Sequence, residues 1–193
     1  MNSIMKNLLL LIALGGSLAA CKKDEETPPS NNPPVNEEEL ITTLLLTFTD
    51  QEIPANVYEL RFTDMDGDGG IAPVIQGDTL PANRAFNLTV RVLDESGATP
   101  EEITEEIEAE DEDHQFFFQP TGTTLLVSYA DSDANSLPVG LVNTASTAAP
   151  GLGTLTVTLR HLPNKTAAGV STGDITNAGG ETDIEVAFPV IVD

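Results

Sequence analysis

Cysteine, tryptophan and basic side chains are scarce in this sequence. Cys21 is the single cysteine among 193 residues, so no disulfide can form within the chain. Tryptophan is absent and aromatic residues make up 5% of the chain, which argues only weakly against a platform that binds sugars by stacking. Lysine and arginine number 8 against 31 acidic residues, and such a surface repels the phosphates of nucleic acids. Nucleic acid is therefore not a predicted partner.

Long apolar runs are also missing. A transmembrane helix needs about 18 or more consecutive apolar residues, and the apolar run at residues 8–14 is too short for this. The run follows Lys6 and precedes Gly15-Gly16-Ser17, which is the three-part order of a secretory signal. We therefore expect residues 1–20 to be a signal peptide that is removed on export.

The residues around the single cysteine add an address. Leu18-Ala19-Ala20-Cys21 resembles the lipobox of bacterial lipoproteins, whose cysteine is acylated and becomes the mature N-terminus. The resemblance implies lipidation of Cys21 and a membrane as partner; the alternative is an ordinary secretory signal. Residues 22–26, Lys-Lys-Asp-Glu-Glu, resemble the tag that sends some Gram-negative lipoproteins to the outer face of the outer membrane. We expect an outer-membrane lipoprotein, with cell-surface display favoured over the periplasmic face.

A tether separates this anchor from the rest of the chain. Residues 21–38 contain Pro28-Pro29 and Pro33-Pro34, and proline disrupts both helices and strand pairing. Residues 39–193 then form one domain, long enough to bury roughly 70% of its extended-chain surface.

The domain alternates apolar and polar residues with a period of two, which is typical of half-buried strands. Glycine, proline, aspartate and asparagine clusters separate the strands. This pattern predicts an all-β fold, an immunoglobulin-like antiparallel β-sandwich of six to nine strands. The clearest segments are 40–49, 58–62, 86–92, 125–129, 155–159 and 184–192, and shorter candidates are 71–75, 114–119 and 140–143.

One acidic helix interrupts the strands. Thr99-Pro100-Glu101-Glu102 matches a capping box, with threonine at the N-cap and proline in the first turn. We expect a helix over about residues 100–113, with Ile103 and Ile107 on its buried side. It should fray after Ala109, because the acids that follow oppose the negative helix end.

The string Asp64-Met65-Asp66-Gly67-Asp68-Gly69 is the sharpest local motif. Alternating carboxylates with glycine at the turn begin the calcium loops of EF-hands. Ile75 stands where that loop has a bidentate glutamate, so an EF-hand itself is absent. Two interpretations stay open: a calcium loop of another frame with Asp64, Asp66 and Asp68 as ligands, or a polar hairpin loop.

A second alternation of polar residues follows a later strand. Asp131, Asp133 and Asn135 repeat the spacing, but Ser136 stands where glycine would help. We therefore favour a solvated loop over a calcium site here.

Catalytic motifs are missing from the sequence. It contains no Gly-x-Ser-x-Gly elbow, His-Glu-x-x-His or phosphate loop. His114 and His161, the only histidines, lack the local spacing of a metal site; the first is expected to close the acidic helix and the second to end a strand. The Gly-rich residues 169–181 are expected to form an exposed loop. The chain is predicted not to be an enzyme.

Four longer segments carry a wider resemblance: residues 62–70, 112–118, 159–165 and 173–183. They are similar to a family of small bacterial lipoproteins often named "type 1 periplasmic binding fold superfamily" proteins. The resemblance spans most of residues 39–193 and implies a lipoprotein, without site residues to carry over. The fold in that name alternates parallel strands with helices, whereas the alternation in this sequence predicts an all-β domain.

These observations predict a membrane-anchored, exported lipoprotein with a non-enzymatic binding or structural domain, and calcium as its candidate ion. Its partner would be a protein or a glycan. The alternative is a solute- or glycan-capture lipoprotein of an outer-membrane uptake system, which requires a concave pocket with converging polar groups.

The lipid anchor can be tested directly. Cys21→Ser should abolish incorporation of labelled palmitate and release the protein from the membrane fraction, because stable binding depends on the buried acyl chains. Fractionation with Ser17→Ala as the control measures this. An unchanged membrane fraction for Cys21→Ser would refute the anchor.

Overall fold

The computed structural model describes residues 40–67 and 69–193. The lipobox cysteine Cys21, the tether and Asp68 lie outside the described residues. The described chain folds into strands joined by one α-helix and two 3-10 helices. The strands are β1 Thr43–Asp50, β2 Val57–Thr63, β3 Val74–Gly77, β4 Thr79–Leu80, β5 Ala85–Asp94, β6 Glu101–Glu102, β7 His114–Thr121, β8 Leu126–Tyr129, β9 Val142–Ser146, β10 Gly151–His161 and β11 Glu181–Val192; the helix α1 is Ile103–Ala109, and the 3-10 helices are Val170–Thr172 and Ile175–Asn177.

Two sheets form a sandwich. The larger has the order β3-β2-β1-β5-β9-β8, with β6 beside β5, and the smaller has the order β4-β11-β10-β7. All pairings are antiparallel except the short parallel pair of β4 with β11. The sets β1-β5-β9-β8 and β11-β10-β7 reproduce the ABED and GFC sheets of a constant-type immunoglobulin domain. The predicted immunoglobulin-like sandwich is confirmed, and β2 and β3 extend its first sheet.

The core follows from the period-two alternation. Along β5 the residues Phe86, Leu88, Val90 and Val92 are buried while their neighbours up to Arg91 are exposed. One apolar cluster joins residues of both sheets. Because a one-residue slip would turn every apolar side chain to solvent, this burial specifies the strand register.

Each of the nine predicted segments overlaps a strand, but segments 71–75 and 140–143 do so only at their last two residues, where β3 and β9 begin. Two two-residue strands, β4 and β6, were not predicted because two residues are too few to show an alternation.

The predicted start of the helix is wrong. The helix begins at Ile103 instead of Pro100, and its N-cap is Glu102, which makes no side-chain capping bond. Glu101 and Glu102 pair with the end of β5 instead, and Arg91 Nε donates to Glu102 Oε2 at 2.7 Å. Strand pairing thus holds these residues extended and overrides the capping box of Thr99.

The predicted buried side of the helix and the predicted fraying after Ala109 agree with the structure, whereas the predicted end near residue 113 is wrong. Ile103 and Ile107 are buried, and the helix ends at Ala109 with no basic residue in its last turn, so it spans Ile103–Ala109 instead of about 100–113. Within the described residues, no helix has the length and apolar character needed to cross a membrane.

Candidate functional site

A groove of about 340 Å³ opens beside β7 and β8. These are the last strands of their respective sheets, so the groove lies along one open side of the sandwich. The first 3-10 helix supplies the remaining wall. The lining residues are Phe118, Val127, Ser128, Tyr129, Ser171, Thr172 and Gly173.

Hydrogen bonds hold the walls of the groove together. Tyr129 donates its hydroxyl hydrogen to the Phe116 carbonyl at 2.7 Å and accepts from Gln115 Nε2 at 3.2 Å. The same Nε2 donates to the Val170 carbonyl at 2.9 Å. Gln115 is fully buried, so it rigidly links the tyrosine to the 3-10 helix. Burial raises the pKa of Tyr129 to about 12, which keeps this hydroxyl neutral and able to donate.

The loop that contains the first 3-10 helix has a small hydrophobic core of its own. Val170 and Ala178 pack on Phe117, on the face of β7 opposite to that occupied by Phe116 in the main core. Gly169 and Gly173 flank the first 3-10 helix with φ of 87° and 94°, a conformation that favours glycine. The predicted exposed loop at 169–181 is therefore exposed only in part, because Val170 and Ala178 are buried.

The chemistry of the groove is neutral and polar. Its rings, Phe118 and Tyr129, lie with centroids 6.2 Å apart and planes at 58°. Three hydroxyl side chains stand around them: Ser128, Ser171 and Thr172. Hydroxyls both donate and accept hydrogen bonds, and ring faces bind apolar C–H surfaces. This combination suits an uncharged ligand rich in hydroxyl groups.

The first predicted calcium loop is described only in part. Asp64 follows β2 and is half-buried, and among the described residues no hydrogen-bond donor reaches its buried Oδ1. Asp66 Oδ2 accepts from the Ile71 amide at 3.2 Å, and the Asp66 carbonyl accepts from the Gly69 amide at 3.1 Å. The structure thus shows a turn around Asp66, while the third predicted ligand, Asp68, lies outside the described residues.

The second predicted loop is solvated only in part, because Ser132 and residues 134–136 are exposed whereas Asp133 is buried. Asp133 is 6% exposed; its Oδ1 accepts from the amides of Asn135 and Leu137, both at 2.9 Å. Its Oδ2 accepts from Lys165 Nζ at 2.9 Å. The side chain of that lysine is 3% exposed, and its ammonium also donates to the Asp111 carbonyl. The solvated-loop interpretation is therefore wrong for the Asp133 carboxylate, which a buried lysine neutralises, and agrees with the exposure of the residues around it.

Asp131 has a structural role as well. Its Oδ1 accepts from the Gly140 amide at 2.8 Å and its Oδ2 from the Val142 amide at 2.7 Å. All four carboxylate oxygens of Asp131 and Asp133 therefore accept protein donors, and the geometry favours loop anchoring by these residues and Asn135.

The two histidines meet, which sequence reasoning missed. His114 does not close the helix, which ends at Ala109, but begins β7. His161 ends β10 as expected, and the two histidines face each other in the strand register. Their rings are parallel within 9°, with centroids 4.7 Å apart. Potential ligand atoms of Glu110, His114 and His161 all lie within 4.8 Å of one another. The only signal in the sequence would have been the register of β7 against β10.

No protein-family model, curated protein or solved structure matches this chain. The site is therefore interpreted from its own residues.

Breaking the buried ion pair between Lys165 and Asp133 should greatly lower the stability of the fold. Burial alone would raise the pKa of Asp133, but the Leu137 amide and the Lys165 ammonium hold that pKa below its usual value. The stability contributed by this carboxylate is thus complete above the ordinary carboxyl pKa of about 3.9 and is lost as the pH falls through the lowered pKa.

Lys165→Met should therefore destabilise the fold by about 3–5 kcal/mol at pH 7, because it leaves Asp133 buried without its charge partner. The control, Glu102→Gln, breaks the more exposed pair with Arg91 and should cost at most about 1 kcal/mol. Urea unfolding at pH 7 and pH 3 measures both. Equal losses in the two variants would contradict the assignment.

Proposed function

We propose that this chain is an exported, lipid-anchored, non-enzymatic binding protein that captures a neutral, hydroxyl-rich ligand such as a glycan in the groove beside Phe118 and Tyr129. The groove carries the proposal: its walls are held by buried hydrogen bonds and by a packed loop. Such preorganisation lowers the entropic cost of binding. The alternative function, a solute- or glycan-capture lipoprotein, requires a concave site with polar groups of this kind.

Charge supports a neutral ligand. Without residues 1–20 the chain has 7 basic and 31 acidic side chains, a formal charge of 7 minus 31, or −24. Anions are repelled by that field. A cation would find no carboxylate among the seven described residues that line the groove.

The lining also supports a binding role over catalysis. None of those seven residues carries an imidazole or a carboxylate, so the serine and threonine hydroxyls there have no lining general base to activate them. The groove can hold a ligand through hydrogen bonds without breaking it.

The anchor rests on the residues around Cys21. The tether of 18 residues, 21–38, would let a flexible chain reach about 23 Å. This places a ligand-binding domain clear of the membrane on either face of the outer membrane, with the surface favoured by residues 22–26.

A bound calcium ion is a second proposal. It would be held by Asp64, Asp66 and Asp68, and the buried Oδ1 of Asp64, which no described donor reaches, supports it. Carboxylate oxygens are preferred calcium ligands.

Calcium at about 100 times its Kd should raise the Tm of the wild type by about 5 °C or more relative to EGTA. Asp66→Ala should lose this rise in Tm. The control is Asp78→Ala, which changes an exposed residue just after β3 and should keep the rise. Absence of a calcium-dependent rise in the wild type would refute the ion.

The groove is tested with neutral oligosaccharides of two to six units, titrated into the full-length protein in detergent. Phe118→Ala and Ser171→Ala should each weaken binding by about tenfold, as expected for a contact worth about 1.4 kcal/mol. The control is Leu126→Ala, which removes an exposed apolar side chain of β8 that does not line the groove.

Calorimetry measures these affinities. Two results would contradict the proposal: no binding by any neutral oligosaccharide, or an equal loss of affinity in Leu126→Ala.

A further inference from the structure

Glu110, His114 and His161 form a cluster separate from the residues that line the groove. Glu110 follows α1 and is exposed, His114 is 4% exposed at the start of β7, and His161 is half-buried at the end of β10. We propose that this cluster binds a divalent transition-metal ion of the zinc class. Neither the groove nor the calcium loop is needed for this inference.

The hydrogen bond of His114 orients the ring for coordination. Nδ1 of His114 lies 3.1 Å from the backbone carbonyl oxygen of Glu110. A carbonyl oxygen can only accept, so Nδ1 carries the hydrogen and donates it. With Nδ1 engaged in this bond, Nε2 is the ring nitrogen that can face an ion. Metal-binding histidines commonly show this arrangement, in which one nitrogen donates to a backbone carbonyl and the other faces the ion.

A carboxylate faces the same nitrogen. The pairing of β10 with β11 shifts register between Leu159 and Arg160, and this bulge turns Asp183 towards His114. Asp183 Oδ2 lies 4.0 Å from His114 Nε2, and the two side chains are only 11% and 5% exposed. This separation matches that of two ligands of one metal ion. Two ligands at about 2.0–2.2 Å from one ion are separated by up to about 4 Å.

The donor types select the class of ion. Two imidazole nitrogens and a carboxylate oxygen suit zinc and its neighbours, whereas calcium and magnesium prefer oxygen ligands alone. The backbone keeps the donors together, because the Leu162 amide donates to the Asp113 carbonyl at 2.6 Å. This bond ties the end of β10 to the segment that carries Glu110 and His114.

The stacking of the rings defines which side chain must move. Imidazole lone pairs lie in the ring plane, so two parallel rings direct them along separate planes. His114 is buried and held by Glu110, whereas His161 is half-buried. Coordination by both rings therefore requires His161 to turn out of the stack, and the exposed Glu110 carboxylate to close on the ion.

Zinc chloride titrated into the chelator-treated full-length protein tests the site, with calorimetry for affinity and nitrogen NMR of the histidine rings. We expect one saturable zinc ion per chain, a larger change in the ring signals of His161 than at Nδ1 of His114, and a raised Tm. Wild-type protein without saturable binding at one ion per chain would overturn the proposal.

Variants distinguish coordination of zinc by these residues from nonspecific attraction of the ion to acidic side chains. His161→Gln and Glu110→Gln should each lower the zinc affinity by about tenfold or more, and both replace side chains that the fold does not fully bury. Glu108 is an exposed acid of α1, two residues before Glu110. Glu108→Gln should leave the zinc affinity unchanged. Equal effects of Glu108→Gln and Glu110→Gln, or unchanged affinity in His161→Gln, would overturn the site.

Discussion

The register of β10 in the smaller sheet is the constraint on which the rest of the structure depends. Val157 pairs with Val186 on β11 and with Phe118 on β7, and both Val157 and Val186 are buried. A shift by one residue would expose the apolar side of all three strands. The same register sets His161 opposite His114, so burial of the core determines the geometry of a polar cluster at the end of the sheet.

Strand β7 connects the core to both sites. Phe116 packs into the main core, while Phe117 packs on the other face against the loop that contains Val170. Gln115 bonds that loop to Tyr129. Both faces of β7 are buried near its start, so the groove at Phe118 is built on a strand that packing holds in place.

The sequence predicted what depends on local pattern. Alternation was sufficient for six of the longer strands and for the sandwich, since burial of one face imposes that period. The prediction of the helix start failed because Glu101 and Glu102 pair with β5. This is a tertiary contact, and a local capping motif contains no information about it. The Lys165–Asp133 pair spans 32 residues, and the histidine pair depends on the register of two distant strands. The groove likewise joins β7, β8 and the 170–173 turn, whose proximity no local spacing encodes.

We propose that the groove between these strands binds a neutral, hydroxyl-rich ligand. Amide chemical-shift mapping of the protein during titration with a neutral oligosaccharide tests it most directly. The account predicts that the largest shifts occur at Phe118, at residues 127–129 and at 171–173. Shifts concentrated on other surfaces, such as β3, or the absence of any shift would contradict it.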